Sequence, residues 1–124
     1  MSKNHPFLLY FDLDNFKTAN DKYGHQTGDE VLILISNTLK CEFGNDNCFR
    51  LGGDEFVVFS KNQPENIEVL RHKLSKQIFE FGVGVSIGLA QITSEESPDE
   101  IMHRADSVMY YDKSHKIIRQ TPRT

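Results

Sequence analysis

Four carboxylates in two short segments are the residues of this chain most able to do chemistry. Asp12 and Asp14 interrupt the apolar run Phe7-Leu8-Leu9-Tyr10-Phe11-Asp12-Leu13 at its C-terminal end. Two apart on a strand, they point to one face with Leu13 opposed. Isolated carboxylates are costly to desolvate there, so they belong at a solvent-facing sheet edge or around a cation. The second pair, Asp54 and Glu55, directly follows Gly52-Gly53 and so lies at the tip of a turn. A hairpin laid beside the first strand would bring these acids up to Asp12. Such a cluster repels itself unless a divalent ion is present, and Mg²⁺ (or Mn²⁺) suits it, since Mg²⁺ takes one or two carboxylates together with water and substrate phosphates. The plain alternative is a tight turn with solvated acids.

The elements that must position these residues follow from periodicity. Residues 7–13 are a short continuous apolar run, expected to be a strand buried on both faces. Asn15 to Tyr23 is long enough for about two helical turns, and Gly24 is a natural stop. Thr27-Gly28-Asp29-Glu30 has the form of a capping box opening a second helix. That helix carries Val31, Leu32, Leu34, Ile35 and Leu39 at helical spacing and ends at Gly44. The runs Cys48–Leu51 and Asp54–Phe59, joined by Gly52-Gly53, predict a two-residue hairpin. Pro64 opens a third helix with Ile67, Leu70, Leu74 and Ile78 on one stripe.

Residues 83–92 alternate. Val83, Val85, Ile87 and Leu89 face one way, and Gly84, Ser86, Gly88 and Ala90 present a small-residue face that invites close approach of a helix or strand. Ser97-Pro98-Asp99-Glu100 is a second capping box, starting a final helix with Ile101, Met102, Ala105, Val108 and Met109 inward. The order β-α-α-β-β-α-β-α predicts an α/β (α+β) sandwich, a mixed sheet with helices packed on it. The ferredoxin-like polymerase or cyclase palm is its natural form.

Bulk properties narrow the function classes. At 124 residues, with 38% hydrophobic and 26% charged content, the chain is expected to be one globular domain spanning residues 1–124. A net charge of −4 argues against a nucleic-acid surface, which needs a basic stripe. No apolar run approaches the roughly 20 residues that cross a bilayer, and the N-terminus lacks a signal-peptide cleavage site. Neither membrane nor nucleic-acid partners are expected. Cys41 and Cys48 lack zinc-ligand spacing and point to free thiols in a reducing cytoplasm. The histidines form no metal-binding pattern.

Arg50-Leu51-Gly52-Gly53-Asp54-Glu55-Phe56 resembles the signature of the GGDEF family, the diguanylate cyclases. Phe11-Asp12-Leu13-Asp14-Asn15-Phe16-Lys17, Asn20-Asp21, Tyr23-Gly24-His25 and Gly28-Asp29 are similar to the family's first block. Ser86-Ile87-Gly88-Leu89-Ala90 resembles its late strand, and Ala105-Asp106, Met109-Tyr110 and Lys113 its last helix. The blocks run in order from about residue 8 to residue 113. The resemblance implies a nucleotidyltransferase in which Asp12, the Leu13 carbonyl, Asp54 and Glu55 hold one or two Mg²⁺. Asp12, Asp54 and Glu55 are its catalytic carboxylates. A 3′-hydroxyl attacks an α-phosphate and pyrophosphate leaves, with Asp54 or Glu55 as a candidate base. The amides of Asn15 and Phe16, at a helix start, suit the β- and γ-phosphates, and Lys113 adds positive charge. Asn20 and Asp29 match the family's guanine-reading pair, a carboxylate and an amide able to meet guanine's donors and N3. His25 is expected to be structural.

Three departures bear on that transfer. The family's N-terminal D-x-L-T-x-L-x-N-R segment has no counterpart, since only six residues precede Phe7. The inhibitory R-x-x-D motif aligns with Phe43 and Asp46, so its arginine is missing. The family's last helix continues from its lysine into a Gly-Arg-Asn; this chain has Lys113-Ser114-His115-Lys116-Ile117 and so lacks that arginine, leaving Lys116 or Arg119 as candidate substitutes. A short palm of this kind also resembles the minimal CRISPR polymerases, relatives associated with cyclic nucleotide signals in antiphage defence. The expected substrates are nucleoside triphosphates, GTP favoured and ATP as the alternative, joined into a cyclic dinucleotide read by a separate effector. Two antiparallel substrates must meet, so a two-fold homodimer is implied. A catalytically inactive nucleotide-binding module is the competing expectation.

Overall fold

The computed structural model describes residues 6–61 and 67–120, with side chains through Ser114. Its elements are β1 (Phe7–Asp14), α1 (Phe16–Tyr23), α2 (His25–Phe43), β2 (Cys48–Gly52), β3 (Glu55–Ser60), α3 (Ile67–Ile78), β4 (Gly84–Gln91) and α4 (Pro98–Gln120). The strands lie in the order β2-β3-β1-β4, the ferredoxin-like arrangement, with β1 central. All three pairings are antiparallel, where a mixed sheet was expected. β1 and β2 do run parallel, but β3 is inserted between them, so no parallel pair is hydrogen-bonded.

Alternation along β1 divides the core in two. Leu9, Phe11 and Leu13 face α1, α2 and α3, packing with Phe16, Val31, Ile35, Leu39, Leu70 and Leu74. Leu8 and Tyr10 face the other way and meet Ile101, Ala105 and Met109 of α4. Burying each such large apolar side chain contributes about 1.5–3 kcal/mol. Asp12 and Asp14 continue the α4-facing parity, so the shared face expected of them is the one that α4 covers.

Several local expectations shift. The small face of β4 does admit a helix. A Cβ added at Gly88 would collide with the Ala105 carbonyl oxygen and stand 2.6 Å from Met109 N, so only glycine lets α4 lie this close. The Ser97 capping box forms, with Glu100 N donating to Ser97 Oγ at 3.2 Å and Ser97 Oγ reaching Glu100 Oε1 at 3.1 Å. The Thr27 capping box does not. α2 begins two residues earlier, at His25, and Gly24 (φ +93°) is its N-cap. Thr27 therefore lies inside the first turn, its hydroxyl donating to the Tyr23 carbonyl at 3.3 Å. Val108, expected inward, is exposed, as is Leu34, one of the apolar positions at helical spacing in α2. The third helix is described from Ile67, and Pro64 lies outside the described residues.

Candidate functional site: a carboxylate cluster at the ends of three strands

The hairpin brings the two acidic segments together. β1 and β3 pair so that Asp12 lies directly across from Glu55, and the Leu13 amide donates to the Asp54 carbonyl at 3.0 Å. The two-residue turn is Gly53-Asp54 rather than Gly52-Gly53, because Gly52 already pairs with Glu55. Gly53 takes the left-handed φ of +48° that favours glycine. Leu51 is an extra residue between the Arg50–Phe56 and Gly52–Glu55 pairs, a bulge that bends the strand into the turn. Arg50 Nε donates to the Gly53 carbonyl at 3.0 Å and holds the turn from the side.

Each acid has its own neighbours. Lys113 Nζ donates to Asp12 Oδ2 at 2.8 Å and stands 3.7 Å from Asp14 Oδ1. Both oxygens of Asp14 accept from the buried Ser86 hydroxyl, at 2.8 and 2.9 Å. The Tyr10 hydroxyl donates to Glu55 Oε2. Burial pushes the Asp54 carboxyl above the usual carboxylate range, and the charges of Asp12 and Glu55 push it further, against a backbone hydrogen bond that lowers it. Lys113 is held above the usual lysine range by its bond to Asp12, with partial burial opposing. Tyr10 is raised by burial first, then by Glu55.

Asp12, Asp54 and Glu55 are thus adjacent, beside the Leu13 backbone. Among the described residues, however, no three carboxylate, histidine or cysteine side chains converge on one metal-sized position. Asp12 is turned toward the lysine and Glu55 toward the tyrosine. The donor set still suits a hard cation: all-oxygen ligands with one ammonium among four acids, and mutual repulsion visible at Asp54. A divalent ion held here would draw Asp12 and Glu55 away from their protein donors.

Around the acids, Asn15 adopts a left-handed conformation (φ 64°) as the N-cap of α1, an uncommon geometry that asparagine tolerates. It turns the chain at the strand end, so α1 starts with Phe16 beside Asp14. A cavity of about 380 Å³ opens there, lined by Asp14, Asn15, Arg71, Ser75, Gly82 and Lys113. Asn20 and Asp29 are separately placed on α1 and α2. Asn20 is half-buried, its Oδ1 without a partner among the described residues and packed against Gly28, where a Cβ would lie 2.8 Å from its Cγ. Asp29 is exposed next to that glycine, as is His25 at the start of α2. Lys116 and Arg119 lie in α4 beyond the described side chains.

Sequence reasoning overlooked Tyr10 and the hydroxyl of Ser86. The signal for Tyr10 was available: a polar tip two residues before Asp12, on the same strand face. Arg71 and Asp112, an ion pair behind the cavity, carried no periodic signal.

The class that fold and site define is an antiparallel α/β palm with acids at the ends of its central strands. The family model described as "Diguanylate cyclase, GGDEF domain" matches residues 1–117, and the chain belongs to the GGDEF family. It is 38% identical over 132 residues to diguanylate cyclase DgcP of Escherichia coli K12, covering 96% of this chain and 38% of that protein. It is 32% identical over 114 residues to diguanylate cyclase DgcS of Shewanella oneidensis, covering 86% of this chain and 38% of that protein. The chain therefore spans well under half the length of these two relatives. Among solved structures, the GGDEF domain of DgcB from Caulobacter crescentus, in complex with c-di-GMP, superposes with a TM-score of 0.67 at 29% identity over 88% of this chain and 72% of that one. A microbial GGDEF domain described with bis-(3,5)-cyclic di-GMP gives 0.72 at 29% identity, over 90% and 74%. The resemblance carried by the four ordered blocks is borne out. No helix among the described residues is long and apolar enough to cross a membrane.

Proposed function

We propose that this domain joins two nucleoside triphosphates, GTP by preference, into a cyclic dinucleotide with release of two pyrophosphates. The observation that carries this reading is the direct cross-strand pairing of Asp12 with Glu55, with Asp54 beside them at the turn. Asp12, the Leu13 carbonyl, Asp54 and Glu55 are the groups that would hold Mg²⁺ or Mn²⁺. When bound, the metal neutralises the triphosphate and favours ionisation of the attacking hydroxyl.

In each of two equivalent steps a ribose 3′-oxygen forms a bond to an α-phosphorus. The bond from that phosphorus to its bridging oxygen breaks, and the electron pair leaves with pyrophosphate. The hydroxyl's proton passes to Asp54 or Glu55 and then to water. Asn15 and Lys113 border the cavity beside Asp14; with the Phe16 amide at the start of α1, the Asn15 amide and the Lys113 ammonium would receive the phosphate tail. Asn20 and Asp29, on the helix pair α1–α2, would read guanine. Asn20 is already held against Gly28 with an unpartnered acceptor.

One palm binds one nucleotide, so cyclisation needs two loaded copies facing each other about a two-fold axis. Turnover is then second order in protein at low concentration. The test is incubation with Mg²⁺ and mixed NTPs, assaying pyrophosphate and weighing the product. A cyclic guanine dinucleotide is expected. A cyclic adenine product would move the domain to the antiphage polymerase group. Silence with every NTP at high protein concentration would leave an inactive nucleotide-binding module.

A further inference from the structure

Behind the cavity, α3 and α4 lie on opposite faces of the sheet, and an ion pair reaches from one to the other around its open edge. Arg71 of α3 donates to Asp112 Oδ1 of α4 at 2.7 Å, and the second oxygen of Asp112 accepts from the Ile87 amide of β4 at 2.9 Å. β4 is an edge strand whose inner side is filled by β1, so this bond satisfies an outward ladder amide that would otherwise face water. Both side chains of the pair are largely shielded, at 12% and 14% exposure. Glu68 supplies a second partner for the guanidinium.

Asp112 directly precedes Lys113. On a helix, neighbouring residues point about 100° apart. With Asp112 fixed on the sheet edge, the Lys113 side chain leaves the helix toward the strand ends, where its ammonium meets Asp12 and Asp14. Upstream, α4 is seated by Ala105 and Met109 against Gly88. Past Met109, the clasp at Asp112 fastens the next turn of α4 to α3 and β4.

We infer that Arg71, acting through Asp112, is a positioning residue that aims Lys113 at the carboxylate cluster and the adjoining cavity. Arg71 lines that cavity together with Lys113 and Asn15, so a ligand's phosphate tail would meet a lysine whose direction is set from the far side of the sheet. The functional part of this inference rests on the nucleotide-handling reading; the positioning part does not.

Two measurements separate them. Limited acylation of the nucleotide-free protein, read by peptide mass mapping with exposed Lys22 as the internal reference, follows Lys113 directly. Arg71→Met keeps the aliphatic stem and removes the clasp, and Asp112→Asn keeps an acceptor for the Ile87 amide and removes the charge. The second carries the test should the first not fold. Relative labelling of Lys113 is expected to rise at least about threefold, as for a locally opened segment. Unchanged labelling in a folded variant would overturn the inference. Calorimetry with Mg²⁺ and GTP gives the second readout. Arg71→Met is expected to weaken binding about fivefold in the parent and to have no further effect in Lys113→Ala, because residues acting through one group are not additive. Equal losses in both backgrounds would assign Arg71 a general structural role instead. A parent protein that binds no nucleotide would sink the function reading and leave the labelling to decide the positioning.

Discussion

Lys113 Nζ lies 2.8 Å from Asp12 Oδ2, joining the last helix to the first strand across 101 residues of sequence. The ammonium sits where a cation is wanted, and its own charge is stabilised by Asp12 first and then by Asp14 and Asp54. In the absence of metal it is the counter-ion of the cluster. On the proposed function, it would turn to the phosphates of a bound nucleotide.

This dual position predicts opposite effects of one substitution. Lys113→Ala removes the competitor for Asp12, so Mn²⁺ affinity of the nucleotide-free protein should rise. On the proposed function it also removes a phosphate ligand, so GTP affinity should fall. Each change is expected to be about threefold to tenfold, the size of a half-exposed charge-assisted hydrogen bond worth about 1 kcal/mol. Calorimetric titration of each ligand checks both signs, and parallel losses would refute the competition.

Asp54 predicts a stability change that depends on pH. Its folded-state carboxyl is raised by burial and by the charges of Asp12 and Glu55. The folded state therefore favours the protonated form. That contribution is present below the ordinary carboxylate range and is lost as pH rises through the raised value. At neutral pH without metal the ionised group costs stability. Asp54→Asn should then raise Tm by roughly 2 °C, a figure kept small by solvent screening. The gain should shrink toward pH 4, while turnover is lost. Thermal melts from pH 4 to 8 in a chelator test this, and a Tm below the parent's at neutral pH contradicts it.

Glu55 is held by Tyr10, whose ring is buried under α4 and whose hydroxyl alone reaches the cluster. Tyr10→Phe keeps the ring and leaves Glu55 free to rotate. A stability loss of about 1 kcal/mol is expected for the missing bond. Turnover number should fall about tenfold with little change in KM for GTP, the pattern of an interaction that matters at the transition state rather than in binding. A change confined to KM would instead place Tyr10 in substrate binding.

How much of this was legible beforehand follows from what each signal encodes. Alternation in residues 83–92 and the helical stripe of α3 report burial directly, so the faces of β4 and α3 could be read from one chain. The small face of β4 announced a close helix, and Gly88 is where α4 arrives. Gly-Gly marked the hairpin but not its two central residues, because Gly52 extends the β2 ladder and a bulge at Leu51 absorbs the offset. The Thr27 motif failed because Gly24 lets α2 start sooner, and a capping pattern cannot say which of two nearby starts wins. The acids were found from residue type alone. Their partners were not: Tyr10, Ser86 and Arg71 meet Glu55, Asp14 and Asp112 across long stretches of chain, which local patterns do not record.

The contact between Gly88 and α4 predicts the last outcome. A methyl group at this position would collide with the Ala105 carbonyl and crowd Met109, both of them backbone contacts that cannot swing away. Gly88→Ala should therefore push α4 off β4 rather than repack locally, costing about 1–3 kcal/mol. Because α4 carries Lys113, turnover should fall together with Tm, although residue 88 lies midway along the edge strand β4, opposite Tyr10 and not among the acids. Ala90→Gly, on the same face of β4, is the control. It creates no clash and should lower Tm modestly without displacing the helix. Thermal melts and pyrophosphate release measured on both variants distinguish the two, and a Gly88→Ala protein with unchanged turnover would show that the position of α4 does not limit the site.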